Sequence, residues 1–107
     1  MADVTMKVGD TLPVLEVQLV DSAGDAIVLA VDATVQFRMR AASGGALKVN
    51  AAATVVERTT GTVRFNWASG HTDTAGLFFA EFQVTDSSGV ITHPSARHLE
   101  VLIVPVV

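Results

Sequence analysis

Cysteine and tyrosine are missing from this chain, and its 107 residues include one tryptophan, three prolines and seven lysines and arginines. The lack of thiols excludes disulfides and thiolate metal sites, so burial alone must supply stability. Without tyrosine, and with a single tryptophan, there are few rings on which to build an exposed sugar-binding platform. Positive charge is sparse as well: eleven Asp and Glu outweigh it to give a net charge of −4. No cluster of Lys and Arg could neutralise successive phosphates, which argues against nucleic acid as a partner. No apolar run reaches the ~20 residues of a membrane span, the longest being broken by Pro105, so no membrane partner is expected. Met1-Ala2-Asp3-Val4 lacks the basic region and apolar stretch of a secretory signal peptide. Synthesis in the cytoplasm is therefore expected, with the exterior reached only by assembly or lysis.

What the chain does have is apolar content, half of its residues. A chain this long can close one core that buries ~65% of the unfolded surface. No repeat or linker divides it, so residues 1–107 read as a single domain. The pattern centres on residues 75–85, which hold three of the five phenylalanines. There Phe78, Ala80, Phe82 and Val84 recur at the period of a half-buried strand. Val35, Phe37 and Met39 alternate with Gln36, Arg38 and Arg40, and Val63, Phe65 and Trp67 alternate with Arg64 and Asn66. Shorter runs at 4–8, 14–20, 90–92 and 97–104 read as further strands. Pro13 suits an edge or a strand start, and Pro94 breaks the ladder after 90–92. Residues 47–49 and 53–58 read as one interrupted strand or two short ones. The alanines at 51–53 are too few, and too close to β-branched residues, to make a helix. Turn signals fall at 21–25, where Gly24 supplies a positive φ, at Thr60-Gly61, and at 86–89. Seven to nine short antiparallel strands with no amphipathic helix describe an all-β, immunoglobulin-like β-sandwich.

Candidate chemistry is thin. Ser69, His71 and Asp73 supply the residue types of a nucleophilic triad, but residues two apart in one loop seldom converge, and no oxyanion site accompanies them. Bracing of the turn by Asp73 and Thr74 is the simpler account. His93 and His98, with Glu100, fall short of a convergent ligand set. Asp21, Asp25 and Asp32 lack the spacing of a calcium loop. No enzyme, cofactor or metal is expected. Arg38, Arg40, Arg58 and Arg64 would line an anion strip or, more simply, pair across strands with Glu57 and Glu81.

Two apolar features stand out. If Phe78 and Phe82 face the core, Leu77 and Phe79 face outward. The last strand also loses its alternation, so that Leu102, Val104, Val106 and Val107 add apolar surface at the chain end. Such surface either marks contact with another chain or closes an open end of the core.

The ordered set Gly9-Asp10-Thr11 with Pro13, Leu19 and Asp21 ahead of Gly24, Val35-Phe37-Met39 and Gly61-Thr62-Val63-Arg64-Phe65 resembles the immunoglobulin-like domain of bacteriophage virion proteins. It continues with Asp73-Thr74-Ala75-Gly76, Phe78, Ala80-Glu81-Phe82, 86–89, Thr92 and Pro94, and it is most similar to the N-terminal domain of the phage baseplate upper protein family. One departure is Phe78, where such domains often carry a tyrosine that bonds back to the preceding corner. Another is that this sequence ends where such a domain would end, whereas the resembling proteins often carry it ahead of further segments, so a stand-alone capsid-decorating subunit is also an expectation. The resemblance implies a non-enzymatic structural component of a virion, tail, baseplate or capsid-decorating. Its partners would be other virion proteins, or copies of itself in a homo-oligomer. Leu77, Phe79, Leu102, Val104, Val106 and Val107 are the expected contact residues. A carbohydrate-binding or adhesive module is the alternative, and it would need Trp67 at the surface.

Overall fold

The computed structural model describes residues 3–12, 14–21, 23–93 and 99–106. They form an all-β chain of eight strands and one short 3-10 turn: β1 (Val4–Lys7), β2 (Leu15–Gln18), β3 (Thr34–Ala41), β4 (Leu47–Glu57), β5 (Thr62–Phe65), the 3-10 turn Ser69–His71, β6 (Gly76–Asp86), β7 (Gly89–His93) and β8 (Leu99–Val104). No described helix is long and apolar enough to cross a membrane.

The strands join in the order β1-β8-β6-β3-β4-β5-β2, with β7 paired to β6 beyond β8. β6 is the spine. Along one side it pairs with β3 from Thr34↔Thr85 to Ala41↔Phe78; along the other it holds β8 and then β7 end to end. Its alternation is realised as expected: Phe78, Ala80, Phe82 and Val84 are buried, and Leu77, Phe79, Glu81 and Gln83 turn outward.

β4 is one continuous strand that serves two partners. Its first part, as far as Ala53, pairs with β3, and Thr54 onward pairs with β5, with a register shift between Val55 and Glu57. The alanines have a packing reason. Ala51 and Ala53 lie opposite Phe37 and Val35, and their small side chains leave room above those residues. Phe65 of β5 fills that room, stacking on Phe37 at a centroid distance of 4.3 Å. In a flat sheet the intervening β4 would hold these strands about 9.5 Å apart, twice the strand spacing. The sheet is therefore folded over, nearly into a barrel, and β5 and β2 face β3 and β6. Trp67 and Phe82 complete the ring cluster around Phe37 at 5.5 and 5.1 Å.

One expectation is corrected. Not all strands are antiparallel: β1 runs parallel to β8, Val4 opposite Val101 and Lys7 opposite Val104. Met6 still reaches the core from this position. Pro13 and residues 94–98, which include the break expected at Pro94 and the start of the last strand at Arg97, lie outside the described residues.

Candidate docking surface

The outer face of β8, β6 and β3 gathers most of the apolar residues singled out at the chain's end and centre. Leu77 stands opposite Leu102, and Phe79 stands between Glu100 of β8 and Arg40 of β3. Leu77 is 40% exposed, while Phe79, Leu102 and Val104 are half-buried by their neighbours on the face. Lys7 is beside Val104 at the rim. Val106 is exposed past the end of β8, and Val107 lies outside the described residues. A shallow depression on this face is lined by Arg38, Arg40, Leu47, Phe79, Ala80 and Glu81.

The arginines do not pair as the sequence suggests. Arg64 donates through Nε and Nη2 to Glu16 Oε1 at 3.2 and 2.9 Å, because β5 lies beside β2. Arg58 Nη1 donates to the carbonyl of Ala30 at 2.5 Å. Glu57 instead accepts from Thr59 Oγ1 at 3.0 Å. Arg38 stands opposite Glu81 in register, but the ion pairs among the described residues are Arg64–Glu16 and Lys48–Asp73. No strip of four arginines forms.

Of the triad candidates, His71 and Asp73 each bond to other groups and not to one another. His71 Nδ1 accepts the Ala68 N–H at 3.0 Å, and its ring lies against Phe65. Asp73 binds Lys48 Nζ and accepts from Thr74 Oγ1 at 2.9 Å, which holds its carboxyl below the usual range. The side chain of Ser69 lies outside the described residues. Asp21 Oδ1 accepts the N–H groups of Ala23 and Asp25, and Asp32 Oδ2 accepts that of Ser87, so these aspartates brace turns. No cluster of three metal-ligating side chains exists among the described residues. His98 lies outside them.

Trp67 packs edge-on against Phe37 and Phe65 and is buried, so it offers no exposed ring for a sugar. Its Nε1 and both nitrogens of His93 are buried without a hydrogen-bond partner. His93 is 3% exposed and sits on the core side of β7 opposite Phe82. Alternation with Ile91 is the signal that would have placed it there.

His71 and His93 titrate low. Burial pushes His71 below its ordinary value, assisted by the Lys48 charge. Burial also lowers His93, and the nearby Val20 carbonyl opposes this without a well-formed hydrogen bond. The unfolded chain thus takes up protons at a higher pH than the folded one. Stability is complete above the unfolded value of about 6.5 and declines as pH falls through it toward the folded values. The melting temperature is expected to drop between pH 7.5 and 5, above the range in which carboxylates titrate. His93→Leu should flatten that slope. An identical slope in the variant would show that His93 does not contribute to it.

No family model matches the chain, and no curated protein matches it.

Proposed function

We propose that this chain is an immunoglobulin-like β-sandwich that works by docking, as a non-enzymatic structural component of a bacteriophage virion. The sandwich reading is supported by the order of pairing. β3, β6 and β8 stand side by side, as do β2, β5 and the second part of β4, and these are the neighbours found in the two sheets of an immunoglobulin-like domain. The virion assignment is supported by the ordered sequence resemblance, from Gly9-Asp10-Thr11 to Thr92 and Pro94.

The docking role rests on one observation: Leu77 and Leu102 face each other across β6 and β8 on the outer face, continued by Phe79 and Val104. Apolar side chains grouped on a sheet's solvent face contribute little to the core and suit a partner surface. The depression beside Phe79 places Arg38 and Arg40 at the border of the patch, which suits a partner that brings a carboxylate next to its own apolar residues.

Leu77→Lys and Leu102→Lys are expected to leave the melting temperature of the purified domain within about 3 °C of the parent, as surface changes do. They should abolish incorporation into particles, measured by the amount of domain that sediments with purified virions. Full incorporation of both variants would sink the docking role of this face. A fall of more than about 8 °C would assign the two leucines to the fold.

A further inference from the structure

Three strands of the folded sheet have one side unpaired among the described residues: β1 pairs with β8, β2 with β5 and β7 with β6. Such an edge presents free N–H and C=O groups that can template another strand, and proteins usually blunt it with charge. β1 carries exposed Lys7 and β2 carries exposed Glu16. β7, Gly-Val-Ile-Thr-His, has no Asp, Glu, Lys or Arg. Its Val90 and Ile91 are 62% and 52% exposed. Ile91 stands opposite buried Val84, so it points to the core side and still remains uncovered. On the same side of β6, the β8 edge is closed by β1, whereas β7 has no described strand beyond it.

We propose that the open edge of β7 is a self-association site, at which β7 of a second copy of this chain adds antiparallel about a two-fold axis through Ile91. The occupant follows from self-complementarity. An isologous contact sets the same strand against itself. Here it places Ile91 on Ile91, Val90 on Thr92 and Gly89 on His93, so no charged residue of the strand meets its like. The exposed valine and isoleucine are covered, and the outward backbone groups of both strands find partners. The sheet then runs continuously through the two copies. A five-residue strand pair covers less than the ~1,200 Å² of a stable complex, so the dimer forms only at high concentration. This edge is distinct from the outer face around Leu77 and Leu102, and the two proposals stand separately.

Sedimentation velocity of the purified chain tests it. The weight-average mass is expected to rise toward two copies as concentration approaches about 1 mM. Ile91→Lys and Val90→Lys, at positions already open to solvent, should hold the chain at one copy while far-UV circular dichroism and melting stay unchanged. Leu77→Lys should associate like the parent. Because the chain lacks cysteine, Ile91→Cys supplies its sole thiol and should give a covalent dimer under mild oxidation. A parent chain that stays monomeric at about 1 mM overturns the proposal, as does an Ile91→Lys variant that associates as the parent does. Loss of association in Leu77→Lys alone would move the contact to the outer face.

Discussion

Replacing Phe37 with alanine is expected to remove about 3–5 kcal/mol of folding free energy, the usual loss for a fully buried phenylalanine. Set against total stabilities of about 5–15 kcal/mol for small domains, this is enough to leave the domain close to unfolding. The ring is 0% exposed and touches three others, stacking on Phe65 and meeting Trp67 and Phe82 at an angle. It belongs to β3, while Phe65 and Trp67 come from the chain of β5, so its loss opens a void between the two halves of the folded sheet. Neighbouring Ala51 and Ala53 are too small to fill it. Urea denaturation, followed by Trp67 fluorescence, measures the effect directly, because the indole lies against Phe37. A lower midpoint with unchanged steepness would mark a pure stability loss. Leu77→Ala, on the outer face, is the control and should change stability by less than about 1 kcal/mol. If Phe37→Ala also falls below about 1 kcal/mol, the ring cluster is not the centre of the core.

That cluster marks the limit of what local pattern conveys. The outward and inward sets of β6 follow from period-two alternation, and Phe78, Ala80, Phe82 and Val84 are buried as the sequence suggests. β4 was legible at both ends, as one interrupted strand or two short ones, but its continuity through the alanines was not. Ala51 and Ala53 carry too little apolar bulk to register as a strand face, and their role is visible only once Phe65 is known to stack above Phe37. The direction of β1 was equally silent, since Val4 and Met6 alternate identically beside a parallel or an antiparallel neighbour. Charge pairing depends on which strands are adjacent. Arg64 meets Glu16, 48 residues away, because β5 pairs with β2, and no spacing along the chain encodes that.

The same division applies to the candidate surfaces. Alternation alone sends Leu77 and Phe79 outward, but only the register of β6 with β8 sets Leu77 against Leu102. At β7 the useful signal was an absence, a strand with no charged residue, and it acquires meaning only when the strand proves to lie at an edge. The signal at His93, its alternation with Ile91, is lost when the strand is taken to end at Thr92. The burial of His93 comes from its place opposite Phe82.

Gly61→Ala is expected to rival Phe37→Ala, by about 3 kcal/mol or more, through the backbone instead of the core. Gly61 has φ of +69°, and a Cβ there would lie 2.6 Å from the Ile27 carbonyl oxygen and 3.0 Å from that of Leu19. Neither oxygen can retreat freely. The Leu19 carbonyl accepts the Ile27 N–H at 3.1 Å, the Leu19 N–H donates to Gly61 itself at 2.8 Å, and the Leu29 N–H is held by the Arg58 carbonyl at 2.8 Å. Three segments meet at this point: the end of β2, the stretch before β3, and the turn from β4 to β5. Gly24 separates steric crowding from the cost of a positive φ. It has φ of +89° with open space around its Cβ position, so Gly24→Ala should lose only about 1–2 kcal/mol. Urea denaturation of the two variants side by side reads the difference, which isolates the close approach of the three backbones. Equal losses would show that these carbonyls can move aside. A larger loss at Gly61 would make this backbone junction, with the phenylalanine stack, one of the two points that hold the folded sheet closed.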